Sequence, residues 1–328
     1  MGNLASNCNG CDSSKEEPDS ELHLTIEGIE EKDPIQRRMM IQAKTNFEKK
    51  LKKMGQIIKN QKIKQILNSV NPMISLISIP ENIIKTRKPN TFEEPIIKFN
   101  NGEIYKGFWN TKNQRDGFGI NINPDGEIYA GLWNQDQIGD YGAFFDSEGN
   151  YYNGKLINGK GNGQGEMLIF NKMKYKGEFI DDIPNGKGVL INLMDGSEYN
   201  GDVKNGKKEG RGILKFKDGT VYEGDFKDDN FNGNGILKYN NGRKYEGTFK
   251  DGKMDGNGKF TWEDGKIYIG NYVDDKKQGY GKLIWNNNKY YEGNWVNNKQ
   301  HGEGLYYLNG KTLKGQFRYG KIININDD

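Results

Sequence analysis

A unit of about 23 residues recurs from Tyr105 onward, and that period sets the fold. The leading tyrosines are Tyr105, Tyr129, Tyr152, Tyr175, Tyr199, Tyr222, Tyr245, Tyr268 and Tyr291. Two residues after each comes a glycine, as in Gly224 after Tyr222. Two further on comes a large apolar residue: Trp109, Trp133, Leu156, Phe179, Val203, Phe226, Phe249, Tyr272 or Trp295. A spacing of two places all three positions on one face of a strand. A period of this length marks an array of small units that bury their apolar faces on one another.

The second half of each unit opens with Gly-x-Gly, as in Gly210/Gly212 and Gly256/Gly258, and alternates again, as in Leu237/Tyr239, Phe260/Trp262 and Leu283/Trp285. Asp195-Gly196, Asp218-Gly219, Asn241-Gly242 and Asp264-Gly265 follow as hairpin-type turns. Each repeat therefore reads as a β-hairpin, nine in full, with a partial tenth at Leu313–Phe317 that lacks the tyrosine. Two copies depart from the pattern. Gly139-Asp140-Tyr141-Gly142 widens the glycine pair, and Asn171-Lys172 replaces the turn glycine. A local bulge is expected at these places.

Composition agrees with a thin structure. Hydrophobic residues are only 33% of the chain and glycines number 45, while aromatics at 12% speak against disorder.

The array resembles MORN repeats (membrane occupation and recognition nexus), whose pattern is a Tyr-x-Gly-x-aromatic strand, then Gly-x-Gly, then an Asp-Gly-type turn. The resemblance covers about two thirds of the chain, residues 101–328. It implies an all-β repeat array, a long, single-layer, trough-shaped antiparallel sheet of stacked hairpins. It also implies scaffolding, membrane-proximal or ciliary roles, and self-association into homo-oligomers.

Charge is distributed unevenly. Residues 1–33 carry 2 basic and 9 acidic side chains, a net of −7; residues 34–100 carry 14 and 4, a net of +10; residues 101–328 carry 32 of each. A neutral array argues against nucleic acid as its partner.

The chain opens Met1-Gly2-Asn3-Leu4-Ala5-Ser6, the pattern for myristoylation of Gly2. One such chain binds membranes only marginally, so Cys8 and Cys11 are expected to carry a second, reversible acyl chain. Residues 12–33 read as an acidic solvated spacer. Over 34–70 the spacing predicts a basic amphipathic helix: Met40, Ala43, Phe47, Leu51, Met54 and Ile58 share one face, and Arg37, Arg38, Lys49, Lys50, Lys52 and Lys53 are among the basic residues around it. Three readings of residues 34–58 stay open: docking on protein, lying on an anionic membrane, or binding a calmodulin-like protein. Residues 71–100, with the apolar run Met73–Ile79, are expected to link to and cap the first repeat.

Neither a phosphate-binding loop nor a nucleophile–base pair can be assembled from this sequence. The segment Asp228-x-Asn230-x-Asn232-Gly233 imitates a calcium loop but has Tyr239 where a bidentate glutamate is needed. No catalytic residue, metal or cofactor is expected. The aromatic column Trp109, Trp133, Phe179, Phe226, Phe249, Tyr272 and Trp295, with Trp262 and Trp285, is expected to serve both as core and as a groove for a protein partner. The leading expectation is a non-catalytic scaffold tethering proteins at a membrane–cytoskeleton junction. The alternatives are a structural component of a ciliary or cytoskeletal assembly and a phospholipid-binding module.

Overall fold

The computed structural model describes residues 91–93 and 96–326. The acylation positions Gly2, Cys8 and Cys11, the helix expected over 34–70 with Arg37 through Lys53, and the stretch 71–90 lie outside the described residues.

Every described secondary-structure element is a β-strand, numbered β1 to β22 along the chain. All belong to one antiparallel sheet. Strand β1 (Thr91–Glu93) and strand β2 (Ile97–Lys98) both pair with the same edge of β3 (Ile104–Asn110), so they occupy one position in the sheet. The sheet thus begins before residue 101. From β3 each strand pairs with the next in sequence, ending at β21 (Lys311–Arg318) and β22 (Lys321–Asn326). The partial tenth copy therefore completes a hairpin of its own.

One repeat shows how the sequence builds the rest. In β13 (Val221–Lys227), Tyr222, Gly224 and Phe226 share a face. A two-residue turn at Asp228-Asp229, with φ of 46° and 70°, leads into β14 (Asn230–Lys238). Positive φ at both central residues is the hairpin turn whose twist matches that of the strands, and Asp and Asn tolerate it. The Asp218-Gly219 type of turn instead joins one repeat to the next, with Gly219 at φ 88° and its N–H donating to the Phe216 carbonyl at 3.0 Å.

Register is the central feature. Gly224 lies opposite both Gly212 and Gly235, and the alignment continues in both directions. One glycine per strand forms a row across the sheet from Gly107 in β3 to Gly315 in β21. The tyrosine ring lies along this row. A Cβ on Gly235 would stand 2.4 Å from the Tyr222 hydroxyl oxygen, and one on Gly224 would stand 2.5 Å from the Gly235 Cα. Both are closer than real Cβ contacts, so the ring and the strands meet only because these positions have no side chain. The Tyr222 hydroxyl donates to the Asp225 carbonyl at 2.9 Å, which satisfies it over the closed backbone.

Burial on a one-layer sheet comes from neighbouring repeats. Tyr222 is fully buried; it stacks on Phe231 at 3.7 Å and meets Phe226 and Phe249 edge-on at 5.1 and 5.2 Å. Phe249 belongs to the following repeat. The same edge-on step carries Tyr245 to Tyr272, Tyr268 to Trp295 and Tyr291 to Phe317. Each such contact adds about 0.5–1.5 kcal/mol beyond area burial. The column forms two clusters, one from Tyr105 to Leu156 and one from Tyr175 to Phe317, with half-buried Tyr152 packed against both. The third repeat, which carries Leu156 in place of an aromatic residue, is the seam.

The expected bulge at the widened glycine pair is present, but it is the rule and not a local departure. In β13–β14, Gly224 opposes Gly235 while Phe226 opposes Phe231, so Asn232, Gly233 and Asn234 together face Asp225. The second repeat shows the same shift between Gly131 and Trp133. Gly233 takes φ 85°, and the Asp225 carboxylate accepts the Asn234 N–H at 2.9 Å. In the third repeat Asn171 adopts φ 54° and replaces the turn glycine.

If ring and row are one unit, Gly235→Ala costs about 1–3 kcal/mol by overpacking. Tyr222→Leu also destabilises, but the double variant is less unstable than the sum of the two. A double-mutant cycle by chemical denaturation that shows simple additivity would contradict this packing.

Candidate functional site

The aromatic face carries two kinds of position. The frame is buried: Trp109, Trp133, Phe179, Phe226, Phe249, Tyr272 and Trp295 all lie in the core. Trp262 and Trp285 are only partly buried, packed against the edge of that core with Tyr239 and Tyr306. Of the residues expected to line a groove, these two tryptophans are therefore the ones that reach the surface.

Cations sit on this partly exposed ridge. The Arg243 guanidinium lies 4.6 Å from the Tyr239 ring, Lys266 Nζ 4.9 Å from Trp262, and Lys289 Nζ 5.0 Å from Trp285 and 5.9 Å from Tyr306. These cations come from the inter-repeat loops or the strand just after them, where the turn residues also lie. Trp262 N–H donates to the Lys266 carbonyl at 2.8 Å, so the loop's own hydrogen bond places the lysine beside the ring.

A second row, not identified from the sequence, lies at the start of each returning strand. Arg115, Ile138, Pro184, Lys208, Phe231, Met254, Lys277 and Gln300 each oppose the apolar residue that ends the first strand. Phe231 covers Tyr222, and Lys277 Nζ lies 5.4 Å from the Tyr268 ring. The tyrosine and glycine frame repeats under this row while the side chains above it change in size, polarity and charge. Its signal in the sequence is that variation at a fixed phase of the repeat.

The carboxylate pairs are structural. Asp229 Oδ1 accepts the Lys208 N–H at 2.9 Å, Asp275 Oδ1 accepts that of Met254 at 2.8 Å, and Asp136 Oδ1 that of Arg115 at 2.9 Å. Each second turn residue thus clasps the preceding repeat. The same aspartates neutralise cations of the variable row: Arg115 with Asp136 at 3.2 Å and Lys208 with Asp229 at 3.0 Å. Lys277 differs. Its clasp residue is Asn298, which accepts the Lys277 N–H at 2.8 Å but carries no charge. Burial, with a smaller contribution from Lys266, holds the Lys277 ammonium below the usual lysine range. Among the described residues no group of three His, Cys, Asp or Glu side chains could hold a metal ion.

Two titrations test this electrostatic layout. Asn298→Asp should raise the Lys277 pKa, read by NMR at Nζ; an unchanged value would mean that Lys277 is not held as described. The tyrosine column should govern alkaline stability. Burial pushes Tyr175 and Tyr291 up to about 12 from the ordinary 10.0, and raises Tyr222 as well. Groups raised in the folded state contribute stability that is intact below pH 10 and is lost as pH climbs through the folded values. Phenolate absorbance should therefore lag behind that of free tyrosine and appear together with unfolding; titration at pH 10 with the fold retained would contradict the burial.

Residues 175–191, 199–221, 222–242, 245–267, 268–290 and 291–312 match the MORN repeat family model. No curated protein matches the sequence. Among solved structures, the chain is similar to the TCP domain of SAS-4 (dCPAP) of Drosophila melanogaster in complex with a proline-rich motif of Ana2 (dSTIL). Identity is 13%, coverage 70% of this chain and 91% of that one, and TM-score 0.25. It is also similar to the TCP10c domain of Drosophila melanogaster Sas-4 at 11% identity, covering 69% of this chain and all of that one, with TM-score 0.25. Virginiamycin B lyase from Staphylococcus aureus is 13% identical, with 73% of this chain and 85% of that one covered and TM-score 0.12. At such scores these likenesses carry no argument. The six matched units coincide with hairpins of the sheet, so residues 175–312 of this chain carry MORN repeats.

Proposed function

We propose that the protein is a non-catalytic scaffold that tethers protein partners at a membrane–cytoskeleton junction. MORN repeats point to a repeat-based protein-binding or membrane-associated module. The observation that carries the finer reading is the division of labour on the aromatic face. An invariant buried frame presents a variable row and an accessible ridge of Tyr239, Trp262, Trp285 and Tyr306 with cations on the rings. Tryptophan, tyrosine and arginine, present here as Trp262, Trp285, Tyr239, Tyr306 and Arg243, are the side chains enriched among interface hot spots. A ridge of this composition suits a partner segment with apolar anchors and acidic flanks.

The membrane half of the proposal rests on Gly2, Cys8 and Cys11 and on the basic residues of 34–70, because the array itself has no net charge. In this reading residues 12–33 are a spacer between the acylated end and the platform. The ciliary assembly reading draws no separate support from the ridge.

The two halves are separable. Gly2→Ala should move the full-length protein from the membrane to the soluble fraction while leaving its proximity-labelled protein partners bound; unchanged fractionation would overturn the lipid anchor. Trp262→Ala with Trp285→Ala should leave the membrane fraction intact and weaken partner binding by about 2 kcal/mol or more, as for interface hot spots. An unchanged partner affinity would overturn the ridge as the binding surface.

A further inference from the structure

The second face of the sheet changes character along the array. One cross-strand row shows it: Ile120, Ala130, Ala143 and Asn153 in the first three repeats, and in the same row Ile213, Glu223 and Ile269 further on. Ile120 is 1% exposed and Ala130 and Ala143 are 0% exposed, whereas Ile213 and Ile269 are 39% and 48% exposed. Ile122, Ile128, Phe145 and Tyr151 share the early face and are equally buried. None belongs to the clusters of the aromatic face. A one-layer sheet leaves its second face to solvent unless another segment lies on it. Later repeats place Glu223, Glu246 and Lys259 in this row, whereas in the first three repeats charge stands only at its two ends, Lys106 and Glu166, with Ile120 to Asn153 between them.

We infer that residues 47–79 of this same chain cover the second face of the first three repeats. Three observations select this occupant. The chain enters the sheet at Thr91, on the edge of β3, beside the buried face. The residues from Pro80 to Asn90 form a tether that reaches about 36 Å when extended, enough to cross six strands spaced about 4.8 Å apart. Residues 47–79 supply apolar side chains suited to such a surface, among them Phe47, Leu51, Met54, Ile58 and the run Met73–Ile79.

Hydrogen exchange on the full-length protein tests the assignment. Amides within 47–79 should exchange at least about tenfold slower than free chain, as for a docked element. Ala143→Lys should abolish that protection, while Ile213→Lys, in the same row but exposed, should leave it unchanged. Free-chain exchange of 47–79 in the wild-type protein, or full protection in Ala143→Lys, would overturn the inference. If Ala143→Lys also exposes the amides of Val221–Lys227, the array itself has opened. Benzoylphenylalanine in place of Tyr151 then decides. Cross-links within one chain into 47–79 support the inference; cross-links to a second copy, or to other segments only, refute it.

Discussion

A tyrosine ring laid over two glycines of adjacent strands is the contact on which the sheet depends. It makes the glycine obligatory at one position in every strand from β3 to the last tyrosine-bearing hairpin, since a Cβ there meets the ring or the opposing backbone below 3 Å. It locks register, because a slip of one residue would bring side chains under the ring. It also solves the burial problem of a single layer. With the backbone lying close beneath, the ring needs cover only from its own repeat and the next, which Phe226, Phe231 and Phe249 supply for Tyr222. Where the tyrosine is missing, at Leu313, Gly315 has no ring near it and Phe317 closes the column.

Once the frame is built from so few positions, the others are free to vary. Two-residue turns at Asp181-Asp182, Asp228-Asp229 and Asp274-Asp275 combine positive φ with a clasp on the preceding repeat. That double duty explains carboxylate pairs without any catalytic role. Where the second turn residue is Asp or Asn, it clasps the residue that opens the preceding returning strand, as at Arg115, Lys208, Met254 and Lys277. The proposed scaffold function assigns partner specificity to the variable row and to the ridge beyond the core, and not to the buried aromatic column.

Much of this was legible in the chain itself. The spacing of Tyr222, Gly224 and Phe226 and the Asp-Gly turns specify hairpins. The groove residues were less legible. Period-2 spacing puts Trp109 and Trp262 on the same face, but burial depends on where each falls relative to the next repeat. Trp109 lies inside and Trp262 at the rim. Likewise, a Gly-x-Gly pair does not announce that three residues will face one across a strand pair; the widened pair Gly139/Gly142 keeps that register while lacking the positive-φ glycine found at Gly233.

The sequence by itself determined the unit: strand alternation, turn chemistry and the residues that must be small or aromatic are local properties read within one period. The tertiary structure decided everything that passes between units. The glycine row, the edge-on aromatic relay, the aspartate clasps and the two-sided burial of the first three repeats all join residues on different strands, many of them a full repeat apart. Their existence follows from register and from which surface each repeat leaves uncovered, quantities fixed only when the strands are laid side by side.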